Sequence, residues 1–215
     1  MDAASRTPLL LLGAVLGLLA LSGVAPQTDR LTWFLETVPV MIGTDVLLTT
    51  WPRFHLTPLL CWLIAIHAVI LIVGGYWSYS EVPLFNWLRD LFGWSRNHYD
   101  RVGHLAQGFV PAIIAREILI RRSPLRPGRW LFFLVTCVCL AFSAFYELIE
   151  WWSAVAFGDG ATAFLGTQGD TWDTQWDMWL ALLGALSAQL LLASLHDRQL
   201  AARGMIPRRH SNAAG

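Results

Sequence analysis

Three short stretches of this 215-residue chain carry residue types that do chemistry. Asp100, His104 and Gln107 stand at i, i+4 and i+7, one face of a helix; Arg101 stands beside them. Glu147 and Glu150 are one turn apart. Asp170, Asp173 and Asp177 stand at i, i+3 and i+7, again one helical face, with Gln168 just ahead of them. Carboxylates grouped with one imidazole and an amide suit cation binding, proton transfer or an ion-pair network. No Arg or Lys occurs between Arg129 and Arg198, so the acids of the second and third stretches have no local counter-charge. Two bare carboxylates about 4 Å apart repel by about 4 kcal/mol at an effective dielectric of 20. Such a group needs Arg101, a protonated His104, its own protons or a bound cation. Oxygen donors with one imidazole favour Mg²⁺, Mn²⁺ or Ca²⁺ over zinc, and the candidate ligands are Glu147, Glu150, Asp173, Asp177 and His104. An ion-pair network centred on Arg101 fits the same residues.

A structural reading competes at some positions. Asp100 and Asp170 can cap helices, with Asp173 in the first turn, where the helix dipole favours a negative charge by roughly 0.3–1 kcal/mol. That reading fails for Glu147 and Glu150, which end a helix. It fails for Asp177, about two turns inside one, and for His104, a full turn inside another.

These residues lie in a chain that is 55% hydrophobic and 14% charged, against roughly 25% charged in soluble domains. The class expected is all-α, a polytopic transmembrane helical bundle. Six passages meet or approach the roughly 20 residues needed to cross about 30 Å of hydrocarbon: about 8–25, 31–50, 57–77, 101–120, 130–150 and 176–195. They form a single domain, 1–200, followed by a disordered cytoplasmic tail, 201–215. The first passage resembles a secretory signal, but Pro26 disfavours cleavage after "SGVA", so an uncleaved helix is expected. Trp51, Trp77, Trp87, Trp94, Trp130, Trp151, Trp152, Trp172 and Trp176 fall near the ends of these passages, as an interfacial belt does. "PLFNWLRDLFGW", 83–94, opens on a proline and aligns Leu84, Trp87, Leu88 and Leu91, which predicts a short interfacial helix.

All 15 basic residues are Arg. Arg121, Arg122, Arg126 and Arg129 lie between the fourth and fifth passages, and Arg198, Arg203, Arg208 and Arg209 follow the sixth. Both termini are therefore expected in the cytoplasm. Counting crossings then brings the three polar stretches to one extracytoplasmic face. The zero formal net charge excludes nucleic acid as a partner, since no basic stripe meets phosphates. Cys61, Cys137 and Cys139 lie in apolar runs without a CxxC and read as small core residues. Arg116, Glu117, Arg121 and Arg122 at the other end read as structural, as does His67. The glycine-rich link 156–178 is expected to fold over the acidic group as a lid or re-entrant segment. Neither a phosphate-binding glycine motif nor a Ser–His–Asp or HExxH arrangement occurs.

"EVPLFNWLRDLFGWSRNHYDRVGHLAQGFVPAIIAREIL", "FYELIEWW" and "FLGTQGDTWDTQWDMWLALLGA" resemble the signature blocks of the YjdF-like family of bacterial inner-membrane proteins. The likeness covers nearly the whole chain, most specifically 73–186, and implies localisation and topology. A looser resemblance runs to the VanZ-like group, associated with glycopeptide resistance. There an Asp, a basic residue and a His open one helix, a Glu ends the next, and an Asp precedes a small-residue helix. Asp100–Arg101–His104, Glu147/Glu150 and Asp173/Asp177–Gly184 match those places. Three function classes follow: a protein binding a polar envelope component or cation, a metal-assisted enzyme acting on a lipid or cell-wall precursor headgroup, and a proton- or cation-coupled transporter. Charges gathered at one end disfavour the last, because transporter sites sit near the midplane.

Overall fold

The computed structural model describes residues 3–158 and 162–207, and among them all regular structure is helical. The order is α1 (Ala3–Val24), α2 (Arg30–Thr50), α3 (Pro58–Trp77), α4 (Pro83–Phe92), α5 (Tyr99–Arg122), α6 (Arg129–Phe157), α7 (Thr162–Leu165) and α8 (Asp173–Ala202). Local chemistry sets several boundaries. Asp29 caps α2, its Oδ1 accepting from the Leu31 and Thr32 amides at 2.9 and 3.0 Å. Pro58 and Pro83 sit in the first turns of α3 and α4. Gly93 ends α4 with φ 65°, the left-handed cap that glycine adopts without strain.

Arg6–Val24, Arg30–Thr50, Pro58–Trp77, Arg129–Phe157 and Asp173–Ala202 are long and apolar enough to cross a membrane. Helix α5 is the sixth of that length, about 36 Å for its 24 residues. Its polar content hides it from hydropathy, yet it is the centre of the bundle, packed along α8 and against α3 and α6. The outward faces carry exposed Leu10, Phe133, Phe142, Leu190 and Leu191. On a chain bounded by lipid that is the expected exterior. Helix α4 buries none of its residues and exposes Leu84, Trp87, Leu91 and Phe92.

Two details differ from the sequence expectation. Helix α6 runs on to Phe157, so Glu147 and Glu150 lie within it, not at its end. The chain after Leu200 does not loosen at once: α8 continues to Ala202, Ile206 is buried, and Arg203 Nη1 donates to the Leu56 carbonyl at 2.8 Å. Residues 208–215 of the expected tail lie outside the described residues.

Helices α5 and α8 touch backbone to backbone. A Cβ at Gly108 would run into the Ala181 carbonyl, and one at Gly184 into the Leu105 carbonyl. Below this crossing, Ala112, Ile113, Val135, Ala185 and Ala188 are fully buried. A layer of buried side chains, apolar but for Gln189 donating to Thr136 at 3.0 Å, therefore separates the two ends of the bundle.

Candidate functional site

At one end α5, α6 and α8 bring the three polar stretches together. Arg96, three residues before α5, and Arg101 in its first turn form the outer part. Arg96 Nη1 donates to Asp173 Oδ1 at 2.6 Å, and its Nη2 to Asp100 Oδ2 and to the Gly166 carbonyl, each at 3.3 Å. Arg101 Nη2 donates to Asp173 Oδ1 at 2.8 Å and Asp170 Oδ2 at 3.0 Å, and its Nη1 binds Asp177 Oδ1. Asp173, a candidate metal ligand by sequence, is thus taken by two guanidiniums. Neither caps its helix: Asp170 accepts from the Trp172 amide at 2.9 Å in the turn before α8, and Asp100 faces Arg96 and not its own backbone.

His104 forms the inner part. Its Nε2 stands 3.4 Å from Asp100 Oδ1 and 3.7 Å from Asp177 Oδ2; its Nδ1 stands 2.9 Å from Gln107 Oε1 and 4.0 Å from Glu147 Oε1. Asp100, His104 and Asp177 offer ligand atoms within 4.8 Å of one another, and so do His104, Glu147 and Glu150. All of these residues are buried or at the edge of burial. Glu147 Oε1 is fully buried without a hydrogen-bond partner among the described residues, and so is Arg96 Nε.

Two members were not foreseen. Glu36 of α2 is 3% exposed and lies within electrostatic reach of Asp100 and His104. Its signal in the sequence was only a carboxylate inside an apolar passage. Arg96 had the clearer one, an i, i+4 spacing to Asp100. The link between α6 and α8 folds inward: Phe164 of α7 is buried and meets Tyr146 at 6.4 Å between ring centroids. Gln168 does not face the carboxylates. It clasps the Asn97 backbone, accepting from its amide and donating to its carbonyl, both at 2.9 Å. Asn97, wholly buried, in turn donates to Val82 O and Asn86 Oδ1, tying the α6–α8 link to α4.

The opposite end carries a second buried network, and the contrast is informative. Arg116 Nη2 donates to Asp197 at 2.6 Å, and Arg121 Nη1 to Glu117 Oε1 at 2.7 Å. Arg116 Nη1 meets His196 Nδ1 at 2.8 Å. A guanidinium only donates, so Nδ1 accepts; Nε2–H then donates to Glu117 Oε2 at 3.0 Å, and His196 is neutral. Thr57 Oγ1 donates to the same carboxylate at 2.7 Å. Two guanidiniums meet two carboxylates. At the first end Arg96 and Arg101 pair with Asp100, Asp170, Asp173 and Asp177, while Glu36, Glu147 and Glu150 are buried close by with no guanidinium among their contacts in the described residues, so those three are met by their own protons, by His104 or by a cation.

The family model described as "Predicted membrane protein (DUF2238)" matches residues 7–198. The chain belongs to this family. It is also 54% identical over 178 residues to "Inner membrane protein YjdF" of Escherichia coli (strain K12), a match covering 83% of this chain and 85% of that protein. Neither match bears on the looser likeness to the VanZ-like group. No solved structure matches the chain. As a member of this family it is a membrane protein, embedded in the lipid bilayer.

Proposed function

We propose that this is an inner-membrane protein whose extracytoplasmic end binds a cation, either free or carried on a polar envelope component such as a lipid headgroup or cell-wall precursor. The observation that supports this reading is the set of buried carboxyl groups near His104, Glu36, Glu147 and Glu150, that no guanidinium meets. Buried ionisable groups in a membrane are costly unless paired, and the other end of the same helices pairs Arg116 with Asp197 and Arg121 with Glu117. The orphaned Glu147 Oε1 points the same way. Arg121, Arg122, Arg126 and Arg129 at the α5–α6 turn support an inner placement for the balanced network and for both termini. The backbone-to-backbone crossing of α5 and α8 favours a one-sided site over a conduit.

The test is a thermal-stability screen of the purified full chain against divalent metal chlorides and organic polyamines. At least one cation class raises the melting temperature, and Asp177→Asn reduces that rise. A tenfold excess of ligand over Kd adds about 1.4 kcal/mol of stability, enough to resolve. No shift with any cation overturns the reading.

A further inference from the structure

At the arginine-rich end, α6 and α8 do not close on each other. A cleft of about 360 Å³ lies between the start of α6 and the 189–197 stretch of α8, with buried Arg116 of α5 also lining it. Several of its polar groups are unspent. Arg129 is exposed and makes no ion pair or hydrogen bond among the described residues, whereas Arg116 and Arg121 are taken by Asp197 and Glu117. The Ser194 hydroxyl is likewise without a partner there. Gln189 is 4% exposed; its Nε2 donates to Thr136 Oγ1 at 3.0 Å and to the Ala185 carbonyl at 3.3 Å, which leaves Oε1 with no donor among the described residues. Helix α6 begins at this cleft with Gly128 in the cap position, and no side chain accepts from its first-turn amides. Two guanidiniums against one carboxylate give the lining a surplus of one positive charge.

We infer that this cleft binds a phospholipid carrying one net negative charge. A free guanidinium beside open helix-start amides is the donor set a phosphodiester takes. One negative charge cancels the surplus, which a zwitterionic headgroup does not. The lining continues inward from Arg129 to Gln189, which reaches Thr136 in the second turn of α6, so the cleft extends past the depth of a phosphate alone. Ser194 supplies a donor for an ester carbonyl, and a water held by the ester supplies the hydrogen that Gln189 Oε1 lacks. Next in sequence to lining residues, Trp130, Phe133, Leu190 and Leu191 are exposed apolar side chains along which acyl chains can lie. Basic clefts between membrane helices hold acidic lipid headgroups in this way. The site is at the opposite end from the cation pocket and does not depend on it.

Delipidated full chain in detergent is titrated with phosphatidylglycerol, phosphatidylethanolamine or phosphatidylcholine and read by native mass spectrometry and melting temperature. One phosphatidylglycerol per chain is expected to be retained in preference to both zwitterionic lipids and to raise the melting temperature. Glycerol 3-phosphate, which has the phosphate but no acyl chains, does neither. Arg129→Gln lowers the affinity at least about tenfold, as loss of one hydrogen bond to a charged group does. Arg122→Gln and Arg198→Gln, equally exposed but outside the cleft, leave it nearly unchanged. Ser194→Phe fills the cleft without altering its charge and abolishes retention. Arg129 and Ser194 are both exposed, so their variants leave the core intact, and should Ser194→Phe fail to fold, the three arginine variants still decide. Equal retention of phosphatidylethanolamine, equal losses in all three arginine variants, or retention untouched by Arg129→Gln overturns the site. Stabilisation by glycerol 3-phosphate as strong as that by the lipid overturns the lipid as occupant.

Discussion

Residues of one chemical type play opposite parts at the two ends of this molecule. Glu117 is fully buried, yet Arg121, His196 and Thr57 all donate to it, and the inner network closes on itself. Removing one partner of such a group leaves an uncompensated charge, a loss of about 3–5 kcal/mol. Arg116→Ala is therefore expected to lower the yield and melting temperature of the purified protein. The cation-induced stabilisation of whatever folded fraction remains should stay at the wild-type value, because buried apolar side chains separate the two clusters. Asp177→Asn should do the reverse. The amide oxygen can still accept from Arg101, which keeps Asp170 and Asp173 as counter-charges, so the cation-free protein is expected to melt close to wild type, and its cation-induced stabilisation to shrink. A sharp loss of cation-free stability in Asp177→Asn would place that carboxylate in the scaffold and not in a site.

Among the elements, the α5–α8 contact decides where the polar groups can meet. Both glycines sit where the partner's backbone occupies the Cβ position, so Gly108→Val or Gly184→Val must push the helices apart. Overpacking costs about 1–3 kcal/mol when side chains can adjust, and here backbone carbonyls stand in the way. Loss of folded protein on size-exclusion chromatography is expected for either variant, whereas Gly13→Val, with open space around it, should be silent. Helix α2 depends on a smaller device. Burial raises the Asp29 carboxyl, but hydrogen bonds from the Thr32 hydroxyl and the Thr32 and Leu31 amides outweigh it and hold the group below its ordinary value of 3.8. A carboxyl lowered on folding contributes stability above its unfolded value and loses it as pH falls through the folded one. Asp29→Ala should thus cost about 1 kcal/mol at neutral pH and nothing once the wild-type carboxyl is protonated, measured by melting temperature across pH 2 to 7.

For the whole molecule, the proposed site depends on an orientation that would set the buried cluster toward the envelope. The α4–α5 link, with exposed Ser95, belongs to the acidic end, and exposed Gly128 to the arginine-rich end. In intact cells a membrane-impermeant maleimide is expected to label Ser95→Cys, and to label Gly128→Cys only after lysis. The inverse pattern would put the acidic pocket in the cytoplasm and remove any envelope component from consideration.

Hydrophobic runs longer than a bilayer are a one-dimensional signal, so the sequence by itself determined the helical class, the positions of the strongly apolar helices and the amphipathic α4. Spacing along single helices also placed Asp100, His104 and Gln107, and Asp173 and Asp177, on common faces, whereas Asp170, expected on the same helix, lies in the turn before α8 and reaches Arg101 from there. Helix α5 was legible as a passage but not as the bundle's centre, because its polar residues are tolerated only through contacts with α8, α6 and α3. Partnership between charges was decided by the tertiary structure alone. Asp173 and Asp177 are four residues apart on one helix, yet one is spent on two guanidiniums while the other keeps an oxygen for His104. Nothing local distinguishes them. The difference arises from where α5 sets Arg101 and where the preceding turn sets Arg96, and Coulomb interactions depend on those distances through space, not on separation along the chain.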